Sequence, residues 1–311
     1  MADIFSLSPF DTRTAFLATL GHPFYEAGLE PAYEVVEDAP IAAFIGQFYN
    51  HLPMVEDHVH GTVSFDESYG AFNGAQSLTF IVYGTDLLSE GSAATVLGQY
   101  YAQGFWIMFG SNLTFASVLA ATATNTPEDD NALIRSALKG DDNVFLSEGR
   151  DYFNGSRGND FIYGNKGGDH LFGGAGNDTL RGGGGYDHLK GGLGNDVFLF
   201  ADIPENSNIL RGSDVIEDFQ QGEDLIDLHR IDARTAAQGN QAFAFKGEAG
   251  AGEAGSFGDK PAGEVRFEIV DNDGNQDWTL IYLDTDADSD PEMMVALAGL
   301  YYNLQASDFI L

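Results

Sequence analysis

Aspartate recurs at every ninth position through the middle of this chain: Asp142, Asp151, Asp160, Asp169, Asp178, Asp187 and Asp196. Two residues before each stands a glycine, at Gly140, Gly149, Gly158, Gly167, Gly176, Gly185 and Gly194. Two residues after each stands an apolar side chain: Val144, Phe153, Ile162, Leu171, Leu180, Leu189 and Phe198. From Gly155 onward a further glycine opens each repeat, at Gly155, Gly164, Gly173, Gly182 and Gly191. The earliest two turns, "ALKGDDNVF" and "LSEGRDYFN", lack it and read as an imperfect start. Evenly spaced carboxylates supply hard anionic oxygens. Glycines let backbone carbonyls turn toward a common centre. Carbonyls with carboxylates are the donor set of Ca²⁺, which takes about six to eight oxygens, whereas Mg²⁺ demands a tighter octahedron and keeps its waters.

The elements that must position these oxygens follow from the period. Two nonapeptides make one coil of eighteen residues, with the apolar residue in a short strand pointing inward. Alternate repeats then stack. Asp142, Asp160, Asp178 and Asp196 line one edge, and Asp151, Asp169 and Asp187 line the other. The outward seventh position stacks Tyr152, His170 and His188, either a solvated face or a histidine metal pair.

Composition narrows the function classes. Hydrophobic residues make up 43% of 311, so the chain has cores to bury and is no disordered acidic tail. The formal net charge is -34, from 48 acidic against 14 basic residues. Such a chain repels nucleic acid and suits cations. Cysteine is absent, which excludes disulfides, thiolate metal sites and cysteine nucleophiles. The opening "MADIFSLSPF" has no basic region followed by an apolar run, so no Sec-type leader is read there. Residues Gly91 to Pro127 carry no charge. Within them "GFWIMFGSNLTFASVLAATA" approaches the length of a membrane span, but Ser, Asn and Thr interrupt it and no basic flank adjoins it. Buried strands or helices are the expectation there, and a membrane-active segment is the alternative.

The nonapeptide run resembles the hemolysin-type Ca²⁺-binding repeat, GGxGxDxUx, of RTX proteins. That resemblance implies a right-handed parallel β-roll with Ca²⁺ held between stacked turns. It implies ligands from the seven Asp carboxylates and from carbonyls at the first and third repeat positions. These are Gly155 and Arg157, Gly164 and Lys166, Gly173 and Ala175, Gly182 and Gly184, and Gly191 and Leu193.

After the repeats, "SDVIEDFQQGEDLIDL" (213–228), the strand-like "GEVRFEIV", "WTLIYLD" and "EMMVALAGL", and the terminal "ASDFIL" form a second block. "DxIxDF", "GxDxIDL" and "DFIL" resemble the C-terminal region of serralysin-type secreted metalloproteases. There the roll continues into a β-sandwich-like cap, and the uncleaved C-terminus addresses the chain to a type I secretion apparatus. Asp214 and Asp224, with Asp227, are expected to join a metal site where roll meets cap. Asp284, Asp286, Asp288 and Asp290 alternate as in the first half of an EF-hand, but Ser289 and Val295 replace its Gly and Glu, which leaves only a looser site. Asp271, Asp273 and Asp277 read as a hairpin turn.

The His-Glu-x-x-His of a serralysin-type protease and the Gly-x-Ser-x-Gly of an RTX lipase are both absent from the sequence. "HLPMVEDHVH", with His51, Glu56, His58 and His60, is the best residual cluster. Exposed strand histidines are its ordinary reading and zinc ligation the sharper one. No catalytic constellation emerges. "QSLTFIVYGTDLL" reads as a strand, "SAATVLGQYYAQGFWIMF" as helix or strand, and "TPEDDNALIRSAL" as a helix with Pro127 early and acids in its first turn.

The expected fold is mainly all-β. A small β-rich or α+β N-terminal domain (1–135) precedes a calcium-binding β-roll (136–200) and a serralysin-like cap with the secretion-signal region (201–311). The expected protein is secreted, extracellular or attached to the cell surface, and folded by its cofactor Ca²⁺. Its expected partners are calcium, the type I apparatus and a glycan or cell-surface ligand, with no nucleic acid and no membrane insertion. It is read as a non-enzymatic binding, adhesion or matrix protein. An enzyme with an unrecognised site in residues 1–135 and a membrane-active toxin using residues 91–127 are the alternatives.

Overall fold

The structure, a computed structural model, describes residues 2–6, 67–73, 77–85, 93–101, 104–110, 127–201, 213–234, 239–249, 263–271, 276–286 and 290–311. The chain divides into two compact units: Met1–Ser8 with Thr12–Lys139, and Pro9–Asp11 with Gly140–Leu311. The cluster of His51, Glu56, His58 and His60 lies outside the described residues, as do Asp273 and Asp288.

The described residues of the first unit hold five strands: β1 (Ala2–Ser6), β2 (Glu67–Asn73), β3 (Ser77–Thr85), β4 (Ala93–Tyr101) and β5 (Gly104–Gly110). They pair antiparallel in the order β1-β5-β4-β3-β2. The segment open between helix and strand is thus two strands, β4 and β5, paired from Tyr101↔Gly104 to Val96↔Phe109. Their β-branched and aromatic residues favour that outcome. The helix α1 (Pro127–Ala137) follows, with Pro at its first turn and Arg135 in its last, as its sequence signals require. No helix among the described residues is long and apolar enough to cross a membrane.

The second unit is a roll of two parallel sheets. One contains β6 (Asn143–Phe145), β8 (Phe161–Gly167), β10 (Thr179–Gly185), β12 (Val197–Leu199), β14 (Leu225–Asp227) and β19 (Phe309–Ile310), paired in that order. The other stacks β7 (Tyr152–Asn154), β9 (His170–Ala175), β11 (His188–Leu193) and β13 (Asp214–Ile216). Its next strand is β18 (Met293–Ala298), parallel to β13. Then β17 (Trp278–Asp284) and β16 (Glu264–Val270) add antiparallel, and β15 (Ala244–Glu248) closes the sheet parallel to β16. The cap therefore extends a sheet of the roll.

Register follows the period. Ile162 faces Leu180 and Leu180 faces Phe198, while Leu171 lies between Phe153 and Leu189. All seven apolar residues of the repeat are 0% exposed, which forms the core between the sheets. Each such burial stabilises by roughly 1.5–3 kcal/mol. One edge carries a second device: the N–H of Asn159 donates to Asp141 Oδ1, that of Asn177 to Asn159 Oδ1 and that of Asn195 to Asn177 Oδ1, at 2.7, 2.8 and 2.9 Å. On the outer face the rings of Tyr152, His170 and His188 stack as their spacing implies, the two imidazoles 4.6 Å apart and 7° from parallel. His170 Nε2 meets Arg150, and His188 Nδ1 meets Glu217.

Candidate metal centre

Each repeat aspartate follows a tight turn that its glycines make possible. At the fourth position Gly176 has φ 140, and a Cβ there would strike the carbonyl of Gly158 in the turn below. The carboxylate then turns inward and is buried. Its Oδ1 accepts the main-chain N–H of the aspartate one coil earlier. Asp142 donates to Asp160, Asp151 to Asp169, Asp160 to Asp178, Asp169 to Asp187 and Asp178 to Asp196, at 2.8–2.9 Å.

The second oxygen is the informative one. Oδ2 of Asp160, Asp169, Asp178, Asp187 and Asp196 is buried and accepts no hydrogen bond. Leaving a buried carboxylate oxygen unsatisfied is costly, so each such atom needs an explanation. In every case it faces the bare Cα of the first-position glycine of its own turn: Gly155, Gly164, Gly173, Gly182 and Gly191 in turn. A Cβ on Gly173 would press on Asp178 Oδ2 and stand 2.7 Å from the Gly191 carbonyl oxygen. The first-position carbonyls of Gly182 and Gly173 likewise border the cradles of Asp169 and Asp160. The third-position carbonyls of Ala175 and Leu193 already accept the N–H of Gly158 and Gly176, each keeping one lone pair.

Electrostatics agree. Burial above all, with repulsion from ladder neighbours, raises the carboxyls of Asp160 and Asp169 from 3.8 to about 8, although the N–H of the preceding ladder aspartate offsets part of this. Burial likewise raises Asp178, Asp187 and Asp196 to about 6. Stacked buried carboxyls that resist ionisation, each with one bare oxygen and, at Asp160, Asp169 and Asp178, a neighbouring first-position carbonyl, form a donor set that fits a hard cation.

The ladders run on past the repeats. Asp187 N–H donates to Asp214 Oδ1 at 3.0 Å, and Asp196 N–H to Asp224 Oδ1 at 2.9 Å. Asp214 and Asp224 thus stand one on each edge and form no joint site; burial raises both carboxyls, Asp214 well above its usual range. Asp227 lies beside His229, whose ring Nδ1 reaches its Oδ1. Two acids missed in the sequence complete this region. Asp218 accepts the N–H groups of Gly191 and Gly192 at 2.9 and 3.0 Å, where the next strand of a longer roll would supply carbonyls. Glu292 joins Asp284 and Asp286, the three offering oxygens within 4.8 Å of one another.

Comparison with known families matches the Peptidase M10 serralysin C terminal family over residues 129–311. The chain belongs to that family. It is an RTX-type calcium-binding repeat protein, and its mainly β fold of parallel sheets is the one the repeats imply. Among solved structures it is similar to the AlgE6R3 subunit of the Azotobacter vinelandii mannuronan C5-epimerase, with 26% identity and a TM-score of 0.25 over 55% of this chain and 78% of that one. The AlgE6R2 subunit of the same epimerase gives 24% identity and a TM-score of 0.20 over 55% and 88%. No curated protein matches.

Within this serralysin C-terminal region the ladder residues fit calcium on their own geometry. The cluster at Asp284 is a different arrangement. Burial and then the charge of Glu292 raise Asp284 to about 6. Its oxygens are already engaged in part, since Asp286 N–H reaches Asp284 Oδ1 at 3.2 Å and Thr285 N–H reaches Glu292 Oε2 at 2.5 Å. Asp290, expected in this group, is not among the three.

Proposed function

We propose that this chain is a secreted protein whose roll folds when Ca²⁺ enters the cradles beside Asp160, Asp169, Asp178, Asp187 and Asp196. The supporting observation is the row of buried, unpartnered Oδ2 atoms, each packed against a first-position glycine whose missing Cβ admits the oxygen. Calcium would satisfy those oxygens together with the first-position carbonyls and remove the repulsion along each edge. Binding free energy then becomes folding free energy.

Cytosolic calcium is too scarce for sites of extracellular-type affinity, whereas millimolar calcium outside the cell fills them. A chain built this way stays unfolded during export and folds on arrival. A type I apparatus is the route that suits it, with residues 136–200 as the calcium-driven roll and 201–311 as cap and address. Residues 1–135 are assigned a binding or adhesive role toward a glycan or cell surface, without catalysis.

Calcium titration of the full chain, followed by circular dichroism and limited proteolysis, tests the central claim. Strand signal and protection of residues 140–200 should rise together with calcium, and magnesium should substitute poorly. Full protease resistance in EDTA with an unchanged spectrum would overturn it.

A further inference from the structure

One end of each edge of the aspartate ladder, at Asp151 and at Asp224, differs from the middle in the same way. At the first end the turn is Leu146-Ser147-Glu148-Gly149-Arg150-Asp151, with leucine in the place of the opening glycine. Here Asp151 Oδ2 is not bare. It accepts the Ser147 N–H at 3.0 Å and the Ser147 hydroxyl at 2.8 Å, and both residues are buried. The first-position carbonyl, that of Leu146, accepts Asn165 Nδ2 at 2.5 Å. At the other end the turn is Phe219-Gln220-Gln221-Gly222-Glu223-Asp224, with phenylalanine first. Asp224 Oδ2 accepts the Gln220 N–H at 2.7 Å, and the Phe219 carbonyl accepts the Tyr301 hydroxyl at 2.7 Å.

Each end therefore presents both oxygens that face the cradle in the middle turns, the carboxylate Oδ2 and the first-position carbonyl. Each end fills both with protein hydrogen-bond donors. A donor hydrogen aimed at an oxygen excludes a cation from the same approach, and a first-position side chain removes the space that glycine leaves. Asp142 is a separate case: its turn opens with Ala137, the last residue of α1, yet its Oδ2 is buried and accepts no hydrogen bond.

We propose that Ser147 with Asn165 at one end, and Gln220 with Tyr301 at the other, stand in for calcium and terminate the array, so that Asp151 and Asp224 hold no cation. This rests on the calcium reading of the middle turns. The ends then assemble from the chain's own donors. The glycine-opened turns between them await metal.

The experiment uses the full chain at saturating calcium. Carboxyl-carbon NMR resonances of the aspartates are followed through a calcium titration, and bound calcium is counted by native mass spectrometry in Asp151→Asn, Asp224→Asn, Asp169→Asn and Asp178→Asn. Asp160, Asp169, Asp178, Asp187 and Asp196 should show direct-binding shifts. Asp151→Asn and Asp224→Asn should keep the parent count, while Asp169→Asn and Asp178→Asn each lose calcium. Loss of calcium from Asp151→Asn or Asp224→Asn, or direct-binding shifts at those two carboxyls in the parent chain, overturns the proposal and leaves the calcium reading standing. If no aspartate shifts and no variant loses calcium, the calcium reading itself falls and this inference with it. The NMR arm needs no variant to fold.

Discussion

The N–H of Asp169 donates to Oδ1 of Asp187 at 2.8 Å, across one full coil of eighteen residues. Each carboxylate thereby does two jobs. One oxygen fixes the stacking of its coil on the one before, and the other faces the cation cradle. Loss of the side chain removes both, so substitutions in the glycines separate them better.

Gly173→Ala should weaken calcium binding beside Asp178 about tenfold or more, ~1.4 kcal/mol or greater. The new Cβ enters the cradle against Asp178 Oδ2 and the Gly191 carbonyl. Gly184→Ala is the matched control, since its Cβ would meet only Lys166 Cγ at 3.9 Å, an ordinary contact. Isothermal titration of both variants checks this; equal affinities would remove the cradle from the account.

Acid should replace calcium in part. The buried carboxyls of the metal-free roll titrate at about 6 to about 8, against 3.8 for the ordinary group. The folded metal-free state thus holds protons that the unfolded chain has released. Stability from this source is full below about pH 4 and falls as pH rises through about 8, because the unfolded state is the one that binds fewer protons. Urea midpoints of calcium-stripped protein should drop from pH 5 to pH 8, and the drop should vanish in saturating calcium. A metal-free midpoint that rises over that range would contradict the burial of these groups.

Leu180→Ala should cost about 3 kcal/mol, because its side chain is 0% exposed between Ile162 and Phe198. The loss should appear in calcium-loaded chemical denaturation with the calcium count unchanged. A fall in the count instead would show that core and cradle are not separable.

Removing calcium should free the C-terminal strand. Phe309 is buried, pairs with Ile226 and packs on Phe245 with ring centroids 5.2 Å apart. Its partner β14 is held to the roll through Asp224, which accepts the Asp196 N–H. Proteolysis near Phe309 should accelerate in EDTA together with cleavage in 140–200. Phe309 staying protected while the roll is cut would show that the cap stands alone.

The sequence was most legible where one position does one thing in every turn. Phe153 to Phe198 recur with an inward strand residue, and the structure buries them all. Asp142 to Asp196 recur with an edge carboxylate, and the ladder is continuous. Legibility failed where a different side chain takes over a role. "FQQGEDLID" (219–227) is a ninth-period turn whose opening glycine is Phe219, so the repeat was not seen to reach Asp224. Ser147 lies inside a turn that reads as imperfect, and only the folded turn brings its hydroxyl onto Asp151. The helix-or-strand ambiguity of β4 and β5 had a plain cause, since uncharged apolar runs carry no period that separates the two.

The asparagine chain from Asp141 through Asn159 and Asn177 to Asn195 has a consequence for how such a protein can grow or shrink in length. It belongs to one edge only. The opposite edge has Arg150, Gly168 and Tyr186 at the same repeat position. Deleting or duplicating a single nonapeptide would transfer every later strand to the other sheet and set Tyr186 where an asparagine must bond. Deleting or duplicating two restores each residue to its own side. Viable length variants of this roll should therefore differ by pairs of nonapeptides, and a library of insertions selected for folding would be expected to be sparse in odd numbers of repeats.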